Sequence, residues 1–191
     1  YSLRGQNLTA GIWDSGIAAY DHQEMVGRVF AGDSLTTAFH ATHVGGTIIA
    51  SGVEPTAKGM APEANLLSYN FAADLIEIAP HAPTTEMDAY NTTDTITVSN
   101  HSYGRPGGWV NGASYSGNSG IHFVGFLEDG EDIYFGLYDQ SAMEWDAFCY
   151  TNPYIQPFFS SGNERNNNAP TSGTLFYYYD TNTDAWESEN Y

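Results

Sequence analysis

An α/β fold on a mostly parallel sheet is what the sequence predicts, and three observations carry that prediction. Short apolar runs end in polar residues at 8–14 ("LTAGIWD"), 64–71 ("ANLLSYNF") and 94–100 ("DTITVSN"). Runs that are apolar almost throughout suit strands covered on both faces, as in a parallel sheet. Segments with helical spacing lie between and after them. The chain of 191 residues is 41% hydrophobic and 15% aromatic, enough to bury one core of ordinary domain size.

In chain order, the first strand is broken by "SG" after Asp14, and "FHATHVGGTIIASG" at 39–52 then reads as a glycine-punctuated helix packed tightly against a neighbour. "TTEMDAY" at 84–90 predicts a helix capped by Thr84 or Thr85, with Glu86 and Asp88 in its first turn. "SAMEWDAFCY" opens with Ser141 and Glu144 at capping-box spacing and sets Trp145, Phe148 and Cys149 at helical intervals. It feeds "PYIQPFFSSGNE", a strand that terminates near Gly162 and Asn163. One segment interrupts the alternation. "IHFVGFLEDGEDIYFGLYD" reads as a hairpin joined around Asp129 and Gly130, an insertion at about 105–140 in a single domain spanning 1–191. The tail from 166 onward shows no helix period.

Twenty-three acidic residues against five basic ones give a net charge of −18, which repels phosphate backbones and anionic membranes. Nucleic acid is therefore not an expected partner. No apolar run reaches the roughly 18 residues a membrane span needs, so no span is expected. Cys149 is the sole cysteine, which rules out an internal disulfide and reads as buried filler.

Open α/β sheets do their chemistry at the carboxyl ends of the strands. Here those ends hold Asp14, Ser102 and Asn163. The pair His40 and His43 lies three apart with no glutamate between, whereas a zinc-binding helix of the zincin type wants four and a glutamate. No metal site is expected there. His43 reads as a histidine satisfied inside the fold. His40 differs, because the strand ending in "DSG" upstream offers the carboxylate that a catalytic imidazole needs to fix its tautomer.

Four motifs together resemble a known family. "GIWDSGI" resembles the aspartate motif of the subtilisin-like serine proteases (subtilases, peptidase S8), and "HATHVGGTI" followed by "GMAPEANL" resembles their histidine motif. "SNHSYG" is similar to their substrate-binding strand, and "SSGNE" to their oxyanion-hole asparagine motif. The match resembles most the secreted bacterial members with an insertion before the oxyanion asparagine. It implies a three-layer subtilisin-like fold, incomplete in this chain, and an extracellular location. By the same resemblance His40 is the general base, Asp14 its orienting carboxylate and Asn163 an oxyanion donor. Ser102, Tyr103 and Gly104 would pair through their backbone with a protein or peptide substrate held as an added strand.

The chain departs from the family in three ways. Ala41 stands where the family has glycine. "ASGVEPTAKG" at 50–59 lacks the asparagine or aspartate of the family's calcium loop, so structural calcium, though an option for the fold, is unsupported at that loop, and Glu24 stays a candidate cation ligand; no cofactor is expected to be required. The Gly-Thr-Ser nucleophile motif does not occur after Asn163. Ser119 in "SGNSG" precedes Asn163, the wrong order for the family's serine. The expectation is a serine endopeptidase whose serine lies in a carboxyl-terminal segment that completes the fold, this chain alone being inactive. The alternative is a non-catalytic binding or structural module.

Overall fold

The computed structural model describes residues 3–33, 36–91, 95–115, 117–128 and 131–191. Along the chain run β1 (Thr9–Asp14), β2 (Val29–Ala31), α1 (Phe39–Ile49), β3 (Asn65–Asn70), α2 (Asp74–Ile78), α3 (Asp88–Asn91) and β4 (Val98–His101). There follow β5 (Trp109–Tyr115), β6 (Asn118–Phe123), β7 (Leu127–Glu128), β8 (Glu131–Asp132), α4 (Gln140–Thr151), β9 (Gln156–Phe159), β10 (Leu175–Asp180) and β11 (Ala185–Asn190). The chain forms two compact units, Tyr1–Tyr103 with Gln140–Ser160 and Gly104–Asp139 with Ser161–Tyr191.

The first unit holds a five-stranded sheet in the order β2-β3-β1-β4-β9, with every pairing parallel. The α/β class read from the sequence is the class observed. Side chains alternate between faces along a strand, and β1 sorts accordingly. Ala10 and Ile12 pack with Leu66 of β3 and with Ala41 and Ile49 of α1, while Trp13 packs on the opposite face with Tyr69, Ile78 of α2 and Phe148 of α4. Helices thus cover both faces of the sheet. Asp14 has the parity of Ala10 and Ile12, which turns it toward α1.

The glycines of α1 explain its close approach. A Cβ on Gly45 would stand 2.9 Å from Leu66 Cδ2 and 3.2 Å from the Ala18 methyl, so only hydrogen fits. Gly46, one residue on, has open space around it.

On the far face, the strand register lines up four rings. Trp13 lies opposite both Tyr69 and His101, and His101 lies opposite Phe159. The rings stack in that order, with centroids 4.9 Å apart for Tyr69 and Trp13, 5.2 Å for Trp13 and His101, and 4.6 Å for His101 and Phe159. His101 is completely buried. Burial pushes its imidazole down to about 4, against a smaller opposing pull from Asp74.

The second unit has a four-stranded sheet in the order β11-β10-β6-β5 and a separate β7-β8 pair. Its core is aromatic: buried His122 stacks on Tyr177 at 5.0 Å and meets the rings of Tyr115 and Trp186 edge-on. The expected insertion at about 105–140 falls in this unit, which also takes in the tail. Its longer hairpin is β5 with β6, while the strands on either side of Asp129 and Gly130, where a hairpin was expected, also pair antiparallel. Those two residues lie outside the described ones, and the strands flanking them are two residues long. Strong turn-forming residues before 121 drew the longer hairpin earlier, with Gly117 at φ 83°.

Two helices also differ from expectation. Gln140 already belongs to α4, so Ser141 lies inside the helix and does not cap it. Glu144 instead accepts a hydrogen bond from the Gln140 side chain at 2.7 Å. The helix expected at 84–90 is a single turn, capped reciprocally by Thr85 and Asp88: Asp88 N–H donates to Thr85 Oγ1 and Thr85 N–H to Asp88 Oδ2. Cys149 packs against the Trp13 cluster, and burial pushes its thiol up. Among the described residues no helix is long and apolar enough to cross a membrane.

Two outcomes follow for stability. Gly45→Ala is expected to destabilise the fold by about 1–3 kcal/mol through overpacking, whereas Gly46→Ala should be neutral or stabilise by up to about 1 kcal/mol; denaturant melts of the two variants check this. His101 adds a pH dependence. Unfolded, its imidazole takes up a proton near pH 6.5, but folded it does so only near 4. Between those values the unfolded chain binds the extra proton, so stability falls as pH drops from about 6.5 toward 4 and this contribution levels off below. A His101→Gln variant should show a shallower loss over that window when unfolding is followed against pH.

Candidate active site

Two local features bring β1 and α1 together at the carboxyl edge of the sheet. After Asp14 the chain turns through Ser15 and Gly16, and Ile17 then pairs with the segment just before α1. Ile17 N–H donates to Thr36 O at 3.0 Å and Ala38 N–H to Ile17 O at 2.9 Å. Gly16 is needed at this approach, because a Cβ there would stand 2.7 Å from Thr36 O. Thr42 adds a second tie, accepting from Ala19 N–H at 3.0 Å through its hydroxyl oxygen. The first turn of α1 is thereby held over the end of β1.

His40, the second residue of α1, points its Nδ1 at the Asp14 carboxylate, 2.9 Å from Oδ1 and 2.7 Å from Oδ2. A carboxylate only accepts, so Nδ1 carries a proton toward it, and in the neutral ring Nε2 then holds the lone pair. Asp14 Oδ1 also accepts from the Ser15 N–H at 2.7 Å and the Ser15 hydroxyl at 3.0 Å. Only 2% of the Asp14 side chain is exposed against 48% of His40. A buried, fully bonded carboxylate therefore orients an imidazole whose other nitrogen faces outward. Such a pair is equipped to accept a proton from a nucleophile and to stabilise the imidazolium that results.

The other expected residues are distributed as follows. Ser102 directly follows β4 and accepts from Asn100 Nδ2 at 2.7 Å. The Tyr103 carbonyl is 3.4 Å from the Ser160 hydroxyl, which donates to it. Among the described residues nothing lies within 4 Å of where a Gly104 Cβ would stand. Asn163 belongs to the second unit and is exposed, just before the single-turn helix Glu164–Asn166. Ser119 lies on β6, also exposed. His43 is exposed on α1 and is not the satisfied interior histidine expected, because its position on the helix faces away from Ala41, Gly45 and Ile49, the residues that α1 buries.

The Subtilase family model matches residues 5–183. The chain belongs to the subtilase family. No curated protein matches it. Subtilases are serine peptidases that act on proteins, and they are commonly secreted. Subtilase membership accounts for the mostly parallel sheet with its helices.

One expectation fails in this subtilase. Glu24 was a candidate cation ligand, but its buried carboxylate is occupied by the chain itself. Oε2 accepts from the Gly52 and Val53 N–H groups at 2.7 and 2.9 Å, and Oε1 from the Glu54 N–H at 2.6 Å. The Glu54 N–H is the main cause holding this carboxyl below its ordinary range; burial opposes it, and the Val53 and Gly52 N–H groups and the charge of His22 add to the lowering. Ser51 and Arg28 bond the Glu24 carbonyl, at 2.8 Å each from the hydroxyl and the guanidinium. The loop at 50–59 is thus gathered by a carboxylate from elsewhere in the chain. Among the described residues no group of three or more His, Cys, Asp or Glu is arranged to hold a metal ion. Nothing in the local sequence signalled the clamp, since its partners are backbone groups 28 to 30 residues away.

Glu24→Gln should lower the melting temperature clearly, because an amide nitrogen cannot accept the N–H groups that one carboxylate oxygen now serves. Thermal unfolding of the variant against the parent chain measures it.

Proposed function

We propose that this chain is the amino-terminal part of a serine endopeptidase that works through a Ser-His-Asp triad, with Asp14 and His40 as two of its members. The observation that carries the reading is the His40 Nδ1 contact to buried Asp14 at 2.7 Å, with Nε2 facing outward. In this reading His40 takes the serine proton and returns it to the leaving amine, while Asp14 fixes its tautomer. Asn163 donates an amide N–H to the oxyanion that develops on the scissile carbonyl. Ser102, Tyr103 and Gly104 bind an extended peptide through their backbone, and Gly104, with no side chain of its own, admits one of the substrate's. Structural calcium has no part in this reading. The complete enzyme acts outside the cell.

The serine is supplied by a further carboxyl-terminal segment of the same polypeptide. Two features of the sheet support this. β9 is an edge strand whose outer backbone is open to pairing. Its Phe158 is 57% exposed beside an apolar groove lined by Ala10, Ile48, Val98 and Asn100, a surface suited to being covered. The absence of Gly-Thr-Ser after Asn163 also favours a second reading, a binding or structural module on the subtilase scaffold. A module of that kind has no use for an imidazole held with its Nε2 outward.

The complete polypeptide should hydrolyse peptides and be blocked by a serine-directed sulfonyl fluoride, while the 191-residue chain should not hydrolyse them. In the complete polypeptide His40→Ala is expected to lower kcat by about 10⁶ and Asp14→Ala by about 10⁴, losses measured on a subtilisin, itself a subtilase. Asn163→Ala should lower it by about 10²–10³, again as in a subtilisin. Hydrolysis by the 191-residue chain that the reagent leaves untouched would overturn the proposal. A complete polypeptide without activity and without a serine at the family position would favour the module.

A further inference from the structure

Beneath the end of β4 lies a polar chain that the triad does not use. Ser99 and His101 share one face of the strand, and Tyr103 continues that parity. The Ser99 hydroxyl is 2.9 Å from His101 Nε2, His101 Nδ1 is 2.8 Å from the Tyr103 hydroxyl, and that hydroxyl donates to Asp74 Oδ2. Only one proton order satisfies every member. The Tyr103 proton goes to the Asp74 carboxylate, so the phenolic oxygen must accept from His101 Nδ1–H, which leaves Nε2 to accept from the Ser99 hydroxyl. A neutral imidazole completes the chain, as its burial requires.

The residues resemble a second Ser-His-Asp set, but they do no chemistry on substrate. His101 is fully buried and Ser99 nearly so, and the ring of His101 is sealed between Trp13 and Phe159, with Trp145 against its edge. Phe71 meets the ring of Tyr103 at 5.2 Å on the Asp74 side. Apolar residues of the same volume would fill this core with less desolvation penalty. What the polar chain adds is direction, since it fixes Tyr103 in one rotamer at one depth. From the other face Asn100 holds the Ser102 hydroxyl.

We propose that the Asp74–Tyr103–His101–Ser99 chain is a positioning device that sets the backbone of Ser102 and Tyr103 at the height where an extended peptide pairs with it. Tyr103 is its central positioning residue. The device serves extended peptides only, because a small ester has no strand to pair. This rests on the protease reading above.

The test compares a peptide of about six residues with a small ester of its cleaved residue, using the complete polypeptide. Loss of one satisfied buried bond is a factor of about ten. Ser99→Ala removes the link to His101 Nε2 and should therefore raise KM for the peptide on the order of tenfold while kcat for the ester stays within about twofold. Ser99→Thr retains the hydroxyl and should behave much as the parent. Equal losses on both substrates, or no loss on either, would overturn the proposal. Should Ser99→Ala not fold, Asp74→Ala takes its place, a several-fold rise in peptide KM alone supporting the device and an unchanged KM overturning it. A parent polypeptide that cleaves neither substrate would defeat the protease reading instead. Amide hydrogen exchange then judges the device by itself: exchange at Tyr103 and Gly104 should quicken in the variant that removes a link and stay slow in Ser99→Thr, and unchanged exchange would refute it.

Discussion

The strand register at the carboxyl edge of the parallel sheet is the constraint on which the rest depends. Tyr69, Trp13, His101 and Phe159 stack across β3, β1, β4 and β9, one ring per strand. A slip of one residue in any of these strands would turn its ring to the other face and break the stack. Because the rings are level, so are the residues that follow them: Asn70, Asp14, Ser102 and Ser160. Alternation then sends each successor toward the opposite face, which for Asp14 is the face of α1. The aromatic layer on one side of the sheet thus fixes the height of the carboxylate on the other.

Two buried carboxylates in the first unit show how the same group is put to different uses. Glu24 has its oxygens filled by three backbone N–H groups, and every one of those donors is fixed in the fold. It acts as a clamp for the loop at 50–59. Asp14 is just as deeply buried, yet its strongest partner is a side chain that is half exposed. A buried charge requires compensation. In Glu24 the compensation ends in the backbone, whereas in Asp14 it ends in an imidazole with an open nitrogen.

The strand ends at Asp14 and Ser102 and the helix carrying His40 were legible in the sequence because their signals are local. A short apolar run stopped by "DSG" and a glycine-spaced helix need no distant information, and the clashes at Gly16 and Gly45 show why those glycines stand there. What was not legible depends on register or on backbone partners. The ring stack, the Glu24 clamp and the Ser99-to-Asp74 chain each join residues that no period connects. The five residues of α2 are too short for a helical period to show, and β10 and β11 carry aromatic and charged residues with no clear alternation. Ser141 misled because capping-box spacing recurs one residue inside a helix that Gln140 already begins.

The account turns on one proton: the one that His40 holds toward Asp14. Nitrogen-15 NMR of the labelled 191-residue chain at neutral pH distinguishes the protonated from the bare ring nitrogen of each histidine. The account predicts that His40 carries its proton on Nδ1, with Nε2 bare, and that Asp14→Asn abolishes this preference. A His40 ring protonated on Nε2, or one whose tautomers do not respond to Asp14→Asn, would contradict it.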